Sequence, residues 1–264
     1  MRIDLTGKRA VVSGSSAGIG FAIARGLAEA GAAVVVNGRS ANRTDAALRR
    51  LENHWPGARV DGVTADLSTA DGVALLVGRV AETDILVNNL GIFEPKPFEE
   101  ITDDDWHRFF DVNVLSGIRL ARAYLPGMLE RNWGRIVFIS SESGLNIPVE
   151  MIHYGMTKTA QLAVSRGLAE RVAGTGVTVN AVLPGPTRSE GVGAFFAKLA
   201  KEKSVTQEQM ESKFIAENRP SSLLRRLATV EEVANIVVYV CSLQASATTG
   251  AALRVDGGVV RSIA

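Results

Sequence analysis

Cysteine is almost absent from this chain: of 264 residues only Cys241 carries a thiol, so no internal disulfide can form. It stands in an apolar helical stretch with Val233, Ile236, Val237 and Val240 and reads as core rather than as a nucleophile. Histidine is scarce, and no Cys, His and carboxylate residues gather at metal-ligand spacing, so a metal is not expected. Charge of one sign is not in excess either; a net charge of +1 removes any global bias toward nucleic acid or a membrane surface. No apolar run reaches membrane-spanning length, and the N-terminus has no charged segment leading into an apolar core, so a cytoplasmic location is expected. Repeats and low-complexity linkers are missing, and 46% hydrophobic residues suffice for one large core, hence a single domain over 1–264.

What is present is alternation. Short apolar runs suited to buried parallel strands recur at Lys8 to Ser13, Ala33 to Val36, Ala58 to Val63, Ile85 to Asn88, Arg135 to Ser140, Val177 to Val182 and Ala251 to Val255, with helical patterns between them. This predicts an α/β fold: a doubly wound parallel sheet of seven strands with helices on both faces. Ligands of such sheets bind beyond the carboxyl ends of the strands.

The first strand runs into Gly14, Ser15, Ser16, Ala17, Gly18, Ile19 and Gly20, and then into a helical pattern through Phe21, Ile23, Ala24, Leu27 and Ala28. Strand, glycine turn and helix in this order suit a pyrophosphate: glycines let the backbone approach, and the helix start offers unpaired amide hydrogens. The next strand ends in Asn37, Gly38, Arg39 and Ser40, where a carboxylate for the adenosine ribose is usual and none is found. Arg39 can instead pair with a 2'-phosphate, which favours NADP(H) over NAD(H); otherwise it is a solvated surface charge, with Arg43 equally placed to be one.

A second constellation lies further on. From His153 to Ala173, Met156, Ala160, Ala163, Val164, Leu168 and Val172 recur at helical intervals, which predicts a helix ending before Gly174. Tyr154 and Lys158 are four apart on it and share a face. A free phenol titrates near a pH of about 10, and a neighbouring ammonium stabilises the phenolate, so Lys158 is expected to bring Tyr154 toward the range of general acid-base catalysis. Ser141 follows a buried strand, where its hydroxyl can hold a substrate carbonyl against the phenol. His153, beside the tyrosine, could meet a polar substrate group, although an adjacent helix position points elsewhere. The segment from Arg188 to Leu224 mixes glycines, apolar residues and charges and reads as one or two amphipathic helices tethered at a strand end, either a substrate lid or a face buried by a partner subunit.

The residues together resemble the classical short-chain dehydrogenase/reductase family over nearly the whole chain. Gly14, Gly18 and Gly20 match its cofactor turn. Asp66 and Leu67 resemble its adenine-binding pair, Asn88 to Gly91 its Asn-Asn-Ala-Gly segment with Leu90 in place of alanine, and Thr249 to Gly258 its closing motif. The resemblance implies a Rossmann-type fold, a catalytic tetrad of Asn113, Ser141, Tyr154 and Lys158, and cofactor contacts from Gly14, Ser16, Gly18, Ile19, Gly20, Arg39, Asp66, Leu67, Asn89, Gly91, Tyr154, Lys158, Pro184, Gly185 and Thr187. Asn113 is there expected to anchor a water of a proton relay. It further implies reversible hydride transfer to a small-molecule carbonyl or from a secondary alcohol, with a pocket wall of Phe93, Leu145, Met151, Phe195 and Phe196 pointing to an apolar or aromatic substrate. A 3-oxoacyl thioester reductase and a non-catalytic NADP(H)-sensing protein are the alternatives. A homotetramer or homodimer is expected, built on helices around Trp106 to Glu130 and Tyr154 to Ala173.

Overall fold

The computed structural model describes residues 2–263, and of Phe195 only the backbone, so the expectation for that side chain lies outside the described residues. The strands are Arg9–Val12 (β1), Ala33–Gly38 (β2), Val60–Thr64 (β3), Ile85–Asn88 (β4), Gly134–Ile139 (β5), Val177–Pro184 (β6), Thr187–Arg188 (β7), Ala228–Thr229 (β8) and Ala252–Val255 (β9). Seven of them form one sheet in the order β3-β2-β1-β4-β5-β6-β9, while β7 and β8 pair separately. Every pairing is parallel, with Val12 opposite both Val36 and Val87. The order reverses at β1 and β4, which opens a crevice above their carboxyl ends.

The helices are Gly18–Glu29 (α1), Ala41–His54 (α2), Ala70–Arg79 (α3), Asp103–Phe110 (α4), Ser116–Glu130 (α5), Ile152–Arg171 (α6), Glu190–Glu202 (α7), Gln207–Asn218 (α8) and Val230–Val240 (α9). Because side chains alternate along a strand, each buried strand feeds two cores. Ala10, Val12, Val34, Val36, Ile85 and Val87 pack against α1, α2 and α9; Val11, Val35, Leu86, Ile136 and Phe138 pack against α3, α5 and α6. Cys241 is fully buried in the first of these cores, and burial pushes its thiol up to about 12, which fits its expected place as core. Capping boxes from Thr102, Thr206 and Thr229 set the starts of α4, α8 and α9.

Helix α6 departs from its predicted pattern. Its buried face carries His153, Thr157, Lys158, Gln161 and Ser165, whereas Met156, Ala160, Val164 and Leu168 are only half-buried and Ala163 is exposed. Val164 and Leu168 still pack against the second core with Leu162, while Lys158 and Gln161 put polar groups on the buried face. Between β7 and β8 the chain forms α7 and α8, whose Phe196, Ala200, Met210 and Ile215 make a small core of their own with Leu227. Phe196 stacks edge-on against Phe214 at 5.2 Å, so it fills that core instead of the pocket wall expected of it.

Candidate active site

The glycine turn is shaped by backbone demands. Gly14 and Gly18 have φ of +60° and +58°, the left-handed region that a side chain disfavours. A Cβ on Gly20 would lie 2.4 Å from Asn89 Nδ2 and 2.5 Å from Gly14 O, so only glycine lets α1 start this close to β1. Two asparagines brace the turn: Asn89 Nδ2 donates to Ser13 O and Gly14 O at 3.0 Å, and Asn37 Oδ1 accepts from Gly14 N at 3.1 Å. The start of α1 carries no side-chain cap, which leaves its first amide hydrogens directed at the crevice.

Below this turn Gly14, Ser16, Gly38, Arg39, Arg43, Leu67 and Leu90 line a pocket of about 480 Å³ that no carboxylate side chain enters among the described residues. Both arginines are exposed. Asp66 stands just outside, its Oδ1 accepting from Ser68 N at 3.1 Å and Ser68 Oγ at 2.7 Å. On the other side of the turn a cleft of about 400 Å³ runs from Gly18, Ile19 and Gly20 past Asn89 and Gly91 to Ser141, Tyr154 and Lys158, with Pro184, Gly185 and Thr187 on its far wall. Gly185 lies so near the closing loop that a Cβ there would come within 2.7 Å of Asp256 O. Thr187 is buried and donates its hydroxyl to Gly185 O at 2.8 Å. Arg43 borders both spaces, a position that the sequence left indistinguishable from a surface charge.

Ser141, at the end of β5, meets Tyr154 and Lys158 of α6 in that cleft. The Ser141 hydroxyl donates to Glu142 Oε2 at 2.6 Å, and Ser143 N donates to both Ser141 Oγ and Glu142 Oε2. Glu142 is itself buried and held by Arg219, just past α8, whose Nε lies 2.9 Å from Glu142 Oε1. Neither Glu142 nor Arg219 was singled out from the sequence; they are 77 positions apart, and the fold brings the end of α8 to the turn after β5. Lys158 Nζ donates to Ile139 O at 3.0 Å and sits 5.5 Å from the centre of the Tyr154 ring.

The electrostatics correct one expectation. Burial drives the Tyr154 phenol upward, with Glu142 adding to the rise, against the lowering effects of the Ser141 hydrogen bond and Arg219. Burial also pulls Lys158 down to about 7, so this ammonium is only partly charged near neutrality and does not bring the phenol down by itself. His153 points elsewhere, as its place one step along the helix from Tyr154 implies. It turns away from the cleft and packs 4.0 Å from the Phe109 ring and 6.0 Å from Trp106, buried between α4 and α6. Burial lowers its pKa first of all, which suits a neutral core imidazole.

Asn113 lies behind the cleft rather than in it, fully buried in a π-helical turn, Asp111–Leu115, between α4 and α5. Its Oδ1 accepts from Ile92 N at 2.8 Å, and its Nδ2 donates to Ile92 O and Thr157 Oγ1 at 3.0 Å, tying the β4 loop to α6. Its backbone carbonyl accepts from Gln161 Nε2 at 2.6 Å, and Lys158 Nζ donates to Gln161 Oε1 at 3.3 Å. Gln161 was missed by sequence reasoning, although its place three residues after Lys158 puts it on the same helix face. Of the expected pocket wall, Phe93 stands edge-on to Tyr154 at 6.4 Å and lines the cleft, while Leu145 borders a separate hollow beside Arg219.

Comparison with known proteins extends these observations. A family model described as Enoyl-(Acyl carrier protein) reductase matches residues 14–260. The oxidoreductase YvaG of Bacillus subtilis (strain 168) is 47% identical over 100% of both chains. A 3-oxoacyl-[acyl-carrier-protein] reductase, FabG of Aquifex aeolicus, is 34% identical over 98% of this chain and 100% of its own. Among solved structures, L-sorbose reductase from Gluconobacter frateurii complexed with NADPH and L-sorbose superposes with a TM-score of 0.94 at 32% identity, covering 100% of each chain.

Proposed function

The chain belongs to the classical short-chain dehydrogenase/reductase family and is a hydride-transfer oxidoreductase, and we propose that it works with NADP(H) on a carbonyl or secondary alcohol through Ser141, Tyr154 and Lys158. The observation that carries this reading is the meeting of those three side chains in the one cleft that begins at the Gly18 turn.

The residues present fit a dinucleotide. Gly14, Gly18, Gly20 and Gly91 leave a cradle without side chains, and Arg39 and Arg43 supply positive charge where no carboxylate opposes a 2'-phosphate. In this reading Gly14, Ser16, Gly18, Ile19 and Gly20 hold the phosphates and adenosine, Asp66 and Leu67 the adenine edge, and Asn89, Gly91, Pro184, Gly185 and Thr187 the nicotinamide half. When bound, the nicotinamide supplies or accepts the hydride. The chain's own groups do the rest. Tyr154 holds the substrate oxygen and gives it its proton in reduction or takes it in oxidation, and Ser141 joins it there once its hydroxyl turns from Glu142 Oε2. In its charged form Lys158 favours the phenolate, against the burial that raises the phenol, and Asn113 fixes the loop after β4 against α6.

Phe93, Ile92 and Val192 give the cleft an apolar side, which supports a substrate with an apolar or aromatic flank. A 3-oxoacyl thioester is the second reading, supported by the similarity to the Aquifex aeolicus reductase. Pairing of subunits through α6 is part of the proposal, since Met156 and Ala160 are only half-buried and Ala163 is exposed, leaving apolar surface on the helix. Light scattering that returns a monomer removes that part.

Fluorescence titration of wild type and Arg39→Asp with NADPH and NADH, followed by a panel of aryl ketones and 3-oxoacyl thioesters, tests the reading. Tight NADPH binding that the variant loses supports the cofactor assignment; preference for NADH overturns the role given to the arginines. Turnover of thioesters alone selects the second reading.

A further inference from the structure

Between the ammonium of Lys158 and the backbone carbonyl of Asn113 stands one side chain, Gln161, a turn further along α6 and only 2% exposed. Its orientation is set by its neighbours. An ammonium only donates and a carbonyl only accepts, so the amide oxygen must face Lys158 and the amide nitrogen Asn113; the reverse placement would oppose donor to donor and acceptor to acceptor. Both contacts are made in that sense, at 3.3 Å and 2.6 Å.

We propose that Gln161 is a positioning residue for hydride transfer, a side-chain amide that holds the Lys158 ammonium from behind and fills the place between Lys158 and Asn113 that a bridging water would otherwise take. This rests on the reading of Tyr154 and Lys158 given above. The anchoring water expected at Asn113 is thereby replaced by a fixed amide. That amide orients Lys158 without exchanging protons as a water does.

The groups around Lys158 make this acceptor matter. Tyr154 shares its helix, Ile139 O faces it from β5, Asn113 stands behind, and Glu142 and Arg219 reach the phenol through Ser141. Ile139 O and Gln161 Oε1 are the two acceptors recorded for the ammonium among the described residues. Burial holds Lys158 down to about 7, and an acceptor 3.3 Å from the ammonium, as Gln161 Oε1 is, favours its charged form.

The test compares two substitutions. Gln161→Leu keeps most of the volume and removes both polar atoms, whereas Gln161→Ala opens room for a water with two ready partners, Lys158 Nζ and Asn113 O. The first readout is the pH midpoint at which Lys158 of the cofactor-free protein reacts with trace acetic anhydride, read by mass spectrometry of its peptide. The expected midpoint falls by about one unit in Gln161→Leu and stays within a few tenths of wild type in Gln161→Ala. The second readout is the pH profile of kcat/KM for oxidation of a secondary alcohol from the substrate panel. Gln161→Leu is expected to move it to higher pH, because the phenolate loses its cation. A packing role predicts the opposite order, with leucine near wild type and alanine impaired, and that result, or no shift in either variant, overturns the proposal. Gln161→Met repeats the test should the leucine variant fail to fold. If Tyr154→Phe is inactive while Gln161→Leu is unshifted, only this inference fails; if Tyr154→Phe keeps full turnover, the catalytic reading fails with it.

Discussion

Arg219→Met is expected to be severely destabilising although the residue lies outside the sheet and touches no strand of it. Arg219 and Glu142 are 7% and 4% exposed, and the guanidinium Nε lies 2.9 Å from the carboxylate. Glu142 keeps the Ser141 hydroxyl and Ser143 N as donors when the arginine is lost, but no positive charge remains beside it. Removing one partner of a buried pair costs about 3–5 kcal/mol, because the other charge is left without compensation. For a chain of this size about 2–4 °C of melting temperature accompanies each kcal/mol, so a fall of roughly 6–20 °C is expected. Differential scanning calorimetry of Arg219→Met, Glu142→Gln and the double variant measures it, with the double variant recovering most of the loss because the one carboxylate left without its arginine, Glu150, is partly exposed to water. Kinetics on the same proteins should show turnover falling in Arg219→Met, since a Glu142 carboxylate without its arginine holds the Ser141 hydroxyl more tightly away from the substrate. A melting temperature within about 2 °C of wild type for Arg219→Met would refute the reasoning, since a pair that weak must be screened by water.

Two further outcomes follow from the site. Lys158 is held near 7 in the fold against an ordinary value of 10.5, so from about pH 7 to 10 the unfolded chain binds more protons at this group than the folded one; stability of the cofactor-free protein should rise with pH across that window and fall back as pH drops through 7. Lys158→Met should remove that increment in urea titrations run at several pH values, and an unchanged pH dependence would contradict the burial of the ammonium. Gly20→Ala should weaken NADPH binding at least tenfold in a fluorescence titration, since its Cβ would meet Asn89 Nδ2 at 2.4 Å and displace the turn; undiminished binding would show that the turn does not hold the phosphates.

The sheet was legible in the sequence because its strands are apolar on both faces and its helices are not. All seven runs became strands of one parallel sheet, and the glycine turn lies at its switch point. Tyr154 and Lys158 were legible because helix spacing is a local property. What escaped is set by tertiary contact. The apolar period of α6 announced a helix but not its buried polar groups, since Thr157, Lys158 and Gln161 exchange hydrogen bonds, and His153 ring contacts, with neighbouring elements. Phe196 looked like pocket lining because nothing local shows that α7 and α8 bury a core between themselves. The Glu142 to Arg219 pair could not be read at all, its partners standing 77 positions apart and meeting only in the folded chain. The expected lowering of the phenol failed for a related reason: proximity of Lys158 was visible in the spacing, and the burial that raises Tyr154 was not.

The central claim, that Tyr154 moves the proton while the glycine turn independently holds the cofactor, is tested most directly by Tyr154→Phe. NADPH affinity and NADPH-dependent reduction of a carbonyl accepted by wild type are measured on the same preparation. The account predicts cofactor affinity within a few-fold of wild type and turnover reduced by at least about a hundredfold, the usual worth of a positioned proton donor. Turnover equal to wild type would contradict it.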